Sequence, residues 1–250
     1  MGGLMMKILI DELHQKMLPE KKKKAVKADF VSYYLWRPLC DFLSTILINT
    51  NIKATSVTIF SFWMAFLALP VFIFIPGIKG ALLGYLLIWF WNIADGIDGN
   101  IARYKETFSK KGDFWDAVAG YMAMVSFYFG AGIIAASEKS CLNFNMLNGK
   151  YYILLGGVAA LSTIFPRLVV QKKNVVYGDE AAKYLKNKGD YGFLRKLVMN
   201  ISSINGLAGL LLLLAIIFHF TNIFIIFYGV FQFIFACGAF FIAMKGLNKE

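Results

Sequence analysis

From residue 57 onwards the chain is a succession of long apolar runs separated by short polar links. Six of them approach the roughly 20 residues that a helix needs to cross the hydrocarbon of a bilayer: 57–76, 79 to about 103, 113–137, 151–170, 197–220 and 222–244. The second is the least regular, because its clean apolar stretch, 81–94, ends at Asp95. Pro166 and Arg167 are read as closing the fourth helix, and the only sizeable polar insert is 171–196. Ahead of the first run, 33–52 carries Trp36, Arg37, Phe42, Leu43, Ile46 and Leu47. At helical spacing these make an apolar face suited to lying in the membrane interface. The pattern predicts an all-α integral membrane protein: a six-transmembrane-helix bundle over 54–250, preceded by a cytoplasmic and interfacial segment, 1–53, with an amphipathic helix.

Composition excludes the soluble alternative. Hydrophobic residues make up 58% of the chain and charged ones 16%, against roughly 45–50% and about 25% in soluble domains. Such a chain cannot cover its surface with polar groups. The net charge of +11 then has to be placed. With both termini inside, 23 of the 26 lysines and arginines fall on the inner side, and only Lys79, Lys139 and Lys150 lie outside. That asymmetry predicts six spans with both ends cytoplasmic. The four lysines at 21–24 serve that topology, or bind anionic lipid at about 1 kcal/mol per charge.

The three cysteines, Cys40, Cys141 and Cys237, lack the paired spacing of a zinc or redox site. The N-terminus shows no signal-peptide pattern. His14 and His219 are isolated.

The chemistry is concentrated where the second run ends. Asp95, Asp98, Gly99 and Ala102 fall at i, i+3, i+4 and i+7, hence on one helical face. Acids near a helix C-terminus oppose the macrodipole. Within a span each costs roughly 2.5–3.5 kcal/mol on insertion scales. No basic residue between 80 and 102 can pair with them, so an outside counter-charge is needed, and a cation is the obvious one. The next run opens with Gly112, Asp113 and Asp116. Acids in a first turn are ordinary, but the short link makes these two helices antiparallel neighbours, so that Asp116 can face Asp95 and Asp98. An all-carboxylate oxygen site suits Mg²⁺ or Mn²⁺ better than zinc or copper.

At these residues the sequence resembles the CDP-alcohol phosphotransferases, or CDP-alcohol phosphatidyltransferases, six-helix integral membrane enzymes with the pattern D-x2-D-G-x2-A-R-x8-G-x3-D-x3-D. Asp95, Asp98, Gly99, Ala102, Arg103, Gly112 and Asp116 match in type and spacing. The stretch 54–58 is similar to the family's P-N-x-[LV]-T segment and keeps Thr58. The resemblance implies transfer of a phospho-alcohol, normally phosphatidyl, group from a CDP-linked donor such as CDP-diacylglycerol to a hydroxyl acceptor, with release of CMP. It implies that Asp95, Asp98 and Asp116 hold metal, in a site of two Mg²⁺ or Mn²⁺ ions. Gly99, Ala102 and Gly112 leave room for the cytidine diphosphate, while Arg103 orders the link or touches phosphate and Thr58 lines the nucleotide pocket. It also implies a homodimer.

One position departs from the pattern. The family's last aspartate, a metal ligand and general base, is Gly120 here, so the two-metal site is incomplete. Such a base typically contributes 10²–10⁴-fold. Three readings stand: Asp113 takes over with Asp116, the acceptor supplies its own acidic group, or the protein binds nucleotide without efficient catalysis. An active subfamily is preferred, with Gly120 making room for a bulkier acceptor. Arg167 and Arg195 are candidates for a phosphorylated acceptor, although positive-inside charge explains them equally.

The expectation is therefore a multi-pass transferase of phospholipid or surface-polymer biosynthesis in a prokaryotic cell membrane, with its active site facing the cytoplasm. No nucleic acid is expected among its partners. The competing classes are a catalytically impaired nucleotide- or metal-binding protein and a cation transporter. A transporter wants acids near the midplane of several helices, whereas these cluster at the ends of two.

Overall fold

A computed structural model describes residues 27, 29–137, 147–177 and 192–245, and among these it is almost wholly helical, with no strand. A π-helical turn, Ser32–Trp36, leads into α1 (Arg37–Ile48). The long helices follow: α2 (Ala54–Phe74), α3 (Gly77–Tyr104), α4 (Lys110–Ser137) and α5 (Gly149–Tyr177). After them come α6 (Phe193–Ser202), a second π turn (Ile204–Ala208), α7 (Gly209–Ile217) and α8 (Thr221–Lys245). Helices α2, α3, α4, α5 and α8 are each long and apolar enough to cross a membrane. The fifth apolar run, 197–220, is not one straight helix. It bends by 52° between Ser202 and Ile204, where Asn200, Ser202, Ser203, Asn205 and Gly206 interrupt a run that its remaining apolar residues make read as one span.

Helix α5 also differs from expectation. It runs through Pro166 to Tyr177 instead of closing at Pro166 and Arg167. Proline removes one backbone hydrogen bond and crowds the preceding turn, but in membrane helices neighbouring groups can satisfy the freed carbonyl. The lysine run at 21–24, His14, Cys141 and most of the 171–196 insert lie outside the described residues.

The chain divides into two compact units. In the first, formed by residues 1–67, 86–123 and 188–209, a cluster of Cys40, Ile48, Ala54, Val57, Ile93, Ala94, Ile97 and Ile101 joins α1, α2 and α3. Gly96 permits the close crossing of α1 over α3, since a Cβ there would lie 2.6 Å from Cys40 Sγ. Phe62 of α2 meets Trp115 of α4 edge-on at 5.4 Å. Lys105 Nζ donates to the Thr50 carbonyl at 2.8 Å, fixing the loop between α1 and α2 at the end of α3.

The second unit, residues 68–85, 124–187 and 210–250, packs by small-residue contacts. Gly132 of α4 and Gly156 of α5 approach backbone to backbone: a Cβ on Gly156 would lie 2.7 Å from the Tyr128 carbonyl oxygen. Such approach is what small residues permit between membrane helices, where dispersion and hydrogen bonds do the work that water does elsewhere. Gln232 Nε2 donates to the buried Tyr128 hydroxyl at 2.7 Å. Many large apolar side chains remain exposed, including Phe227, Phe233 and Phe241 of α8, as a lipid-facing surface requires.

Candidate active site

Helix α4 starts with Ser109 as its cap: the Ser109 hydroxyl accepts from the Gly112 amide at 3.0 Å and the Ser109 carbonyl accepts from the Asp113 amide at 3.0 Å. This satisfies two of the orphan donors of a helix start. Gly112 has little room for a side chain, because a Cβ would come 3.1 Å from Ser109 Oγ and 3.6 Å from Thr55 Oγ1. The start of α4 thus sits beside the start of α2, opposite the last turns of α3.

A cleft of about 420 Å³ opens there, within the first unit. Asp95, Asp98, Gly99, Ala102 and Arg103 line it from α3, Gly112, Asp113 and Asp116 from α4, and Thr58 from α2. Nine candidates picked from the sequence therefore meet in one place. Asp98 is buried, at 7% exposure. Its carboxylate meets the Thr58 hydroxyl and the Gly99 amide, yet Oδ2 is buried with no hydrogen-bond partner. Thr58, also buried, donates to the Ala54 carbonyl at 3.1 Å. Asp116 is exposed and close enough to Asp98 for their charges to interact. Asp95 is half-buried and interacts electrostatically with Arg103 and Cys40.

Gly99 lines the cleft and lies against Arg103. A Cβ there would lie 3.0 Å from Arg103 Nη2, so the bare backbone accommodates the guanidinium folded back over the preceding turn. Gly120 is on α4, one turn beyond Asp116, and a Cβ built there would meet nothing within 4 Å. Arg167 belongs to the second unit, on an exposed position of α5, and the Arg195 side chain lies outside the described residues.

Sequence reading missed the contribution of α1. Its inward face is partly polar: Asp41, Ser44 and Thr45 are buried beside Cys40 and Ile48, while Phe42 and Ile46, expected to face the interface, are exposed. Asn100 Nδ2 donates to Asp41 Oδ1 at 2.8 Å and to Ser44 Oγ at 3.0 Å. Arg103 Nη2 donates to Asn100 Oδ1 at 3.1 Å, and Arg37 Nε lies 3.7 Å from Asp41 Oδ2. The i,i+4 spacing of Arg37 and Asp41 was a usable signal; their partner Asn100 had none. Asn205, beside the break in the fifth run, also lines the cleft, and its carbonyl accepts from the Trp36 indole at 2.9 Å.

Burial pushes the Cys40 thiol up to about 12, with the Asp41 and Asp95 carboxylates adding to the effect. An unfolded thiol ionises near 9.0, so between these values only the unfolded chain gives up the proton, and stability falls as pH rises through that window. Since the thiolate is the nucleophile, Cys40 is expected to resist iodoacetamide at pH 8 in the folded protein and to react on unfolding in SDS. Peptide mass mapping checks this.

A polytopic helical protein whose cleft gathers carboxylates and hydroxyls at the ends of its helices has the layout of a membrane enzyme that handles phosphorylated compounds. This chain belongs to the CDP-alcohol phosphatidyltransferase family: the model of that family matches residues 52–187, more than half of its length. No curated protein matches the chain. Membership makes it a multi-pass membrane phosphotransferase by class, with a CDP-linked alcohol as donor and a hydroxyl compound as acceptor. The family generally depends on divalent metal. The donor set fits that chemistry, since Asp95, Asp98 and Asp116 offer hard oxygens and Asp98 Oδ2 is buried without a partner. Among the described residues, however, no three acidic, histidine or cysteine side chains stand close enough to hold one ion between them.

Proposed function

We propose that the protein transfers a substituted phosphate, most simply phosphatidyl, from a CDP-linked donor such as CDP-diacylglycerol to an acceptor hydroxyl, releasing CMP in a Mg²⁺- or Mn²⁺-dependent reaction. The observation that carries this reading is the unpartnered Oδ2 of Asp98, in a cleft shared with Asp95 and Asp116. A buried carboxylate oxygen left without a donor is costly, and a cation relieves it. Asp95, Asp98 and Asp116 would hold the metal, which when bound offsets negative charge on the diphosphate.

The chain's own residues do the rest. Thr58 restrains Asp98 from the α2 side. Exposed Asp116 is placed to accept the proton of the acceptor hydroxyl, with Asp113 one turn nearer the helix start as a second carboxylate. The acceptor oxygen forms its bond to the donor phosphorus as the bond to CMP breaks, and CMP leaves with the electron pair. A cytoplasmic site, a homodimer, a prokaryotic membrane and a role in phospholipid or surface-polymer synthesis complete the reading. The concentration of acids at the ends of α3 and α4 supports an enzyme over a transporter.

Purified protein incubated with Mg²⁺ or Mn²⁺, CDP-diacylglycerol and a panel of polyol and phosphorylated acceptors is expected to release CMP with at least one of them. Metal-dependent protection by CDP without CMP release from any acceptor would favour the impaired reading, and no protection at all would remove the site assignment. Gly120→Asp is expected to fold normally, because the position is open. It would place a further carboxylate one turn from Asp116 and tighten Mn²⁺ binding, as measured by Mn²⁺-dependent CDP protection.

A further inference from the structure

The break in the fifth run is unused by the chemistry above. The chain turns there by 52°, and Gly206 leaves helical geometry, at φ −101° and ψ −137°. Irregular backbone at membrane depth is tolerated where it is buried in protein or lines a cavity. A π turn such as Ile204–Ala208 is a feature often found at functional sites. Here the break sets Asn205 in the wall of the cleft. Its main-chain carbonyl accepts the Trp36 indole N–H at 2.9 Å, so the side chain plays no part in that bond. The side-chain Oδ1 is buried without a hydrogen-bond partner, a costly state that a donor relieves.

Trp36 carries the wall on to α3. Its ring meets Trp89 edge-on at 6.1 Å, one turn before Asn92. Asn92 is only 8% exposed and lines the same cleft, one turn before Asp95 on the side away from the link between α3 and α4. Two carboxamides and an indole thus share this wall, with no charge among them. Each amide offers an oxygen acceptor and two N–H donors. The indole, its N–H already spent, offers apolar ring surface. That set suits a polyhydric alcohol, whose hydroxyls both donate and accept and whose C–H groups pack on a ring. An ionised diphosphate or the esters of a diacyl lipid cannot satisfy Oδ1, because both only accept.

We propose that Asn205 and Asn92, joined through Trp36, form a hydroxyl-reading subsite that selects a polyhydric alcohol as the acceptor. Trp36 and Asn205 lie outside the family-matched segment 52–187, and Asn92 lies outside the acidic motif. The subsite rests on the transferase reading and names its acceptor class. A site built to hydrogen-bond a substrate hydroxyl rejects the analogue that lacks it, because its own buried polar groups are then left unpaired.

The test uses the detergent-solubilised full chain with Mn²⁺ and CDP-diacylglycerol, with glycerol, myo-inositol and 1-propanol as acceptors and CMP release as the first readout. One of the two polyols is expected to exceed 1-propanol by at least about 10²-fold in kcat/KM. Asn205→Leu is expected to raise the KM for that polyol about tenfold, the effect of one neutral hydrogen bond, and to leave the donor KM unchanged. The second readout is thermal unfolding with CDP and Mn²⁺. The polyol is expected to raise the midpoint saturably in the parent and not in Asn205→Leu. Without ligand the variant is expected to be at least as stable as the parent, since leucine fills similar space, removes an unpaired oxygen and keeps the main-chain tie to Trp36. Asn205→Ala replaces it if leucine does not fit.

An equal polyol KM in parent and variant, or no saturable polyol effect in the parent, overturns the subsite. So does a raised donor KM or lost Mn²⁺-dependent CDP protection, either of which puts the amide on nucleotide or metal. Unfolding of both variants makes Asn205 structural and overturns it too. CMP release with an unchanged polyol KM in Asn205→Leu fells the subsite and leaves the transferase reading standing. Saturable polyol binding that depends on Asn205, without CMP release from any acceptor, fells the transferase reading alone.

Discussion

Asp98→Asn is expected to abolish metal-dependent CDP protection and to lower kcat/KM by at least about 10²–10³-fold, the range seen when one preorganised electrostatic contact to a reacting group is removed. Asparagine is nearly isosteric, so the space between Thr58 and Gly99 stays filled and the contact with Thr58 survives. What changes is charge and donor sense, because the amide would point a hydrogen at any cation. In EDTA the same variant is expected to be more stable than its parent. A buried carboxylate oxygen without a partner is an energetic burden, and replacing it relieves part of that burden. A gain of about 1 kcal/mol would raise the midpoint by about 2–4 °C in a protein of this size. Thermal unfolding with and without metal reads both signs. A large loss of stability in EDTA would show that Asp98 is a structural ion-pair partner, and the metal assignment would fail.

Gly156→Ala carries the largest expected effect on folding. The added methyl would lie 2.7 Å from the Tyr128 carbonyl oxygen and 3.1 Å from Gly132 Cα. Both are backbone atoms, so neither can turn aside as a flexible side chain would. Forced overpacking of this kind costs about 1–3 kcal/mol, out of a total stability of about 5–15 kcal/mol. The hydrogen bond between Gln232 and Tyr128 is expected to be strained with it. The neighbouring residue supplies the comparison, since a Cβ on Gly157 meets nothing closer than the Phe129 ring at 3.9 Å. Size-exclusion chromatography after mild heating should show loss of the monodisperse peak for Gly156→Ala and little change for Gly157→Ala. Equal behaviour of the two would remove the close crossing of α4 and α5 as a determinant of stability.

The spans were legible because a bilayer imposes a length, and the chain meets it repeatedly with apolar residues. Asp95 and Asp98 were legible for the opposite reason: each stands where helix and lipid oppose it. Asp116, ordinary near a helix start, was legible only through the short link that sets it opposite them and through the motif spacing. Contacts across long sequence separations were not legible. Asp41 drew no reading at all, and its partner Asn100 lies 59 positions away. The closeness of Gly99 to the Arg103 guanidinium was not legible either, since a bare glycine in the pattern does not say which side chain lies against it. The break near Ser203 was hidden because composition, which reveals a span, is blind to a backbone that changes direction inside it.

The bond from the Trp36 indole to the Asn205 carbonyl spans 169 positions of sequence. At synthesis rates of about 5–20 residues per second, roughly 10–30 s separate the emergence of its two halves. During that interval α1 has no fifth-span partner, and the cleft lacks one of its lining residues. Asp95, Asp98 and Asp116 are made within that interval and also precede Asn205. Completion of the cleft is thus a late event in the biogenesis of this protein: a chain arrested before residue 205 would carry the family's acidic motif without Asn205 to line the cleft around it.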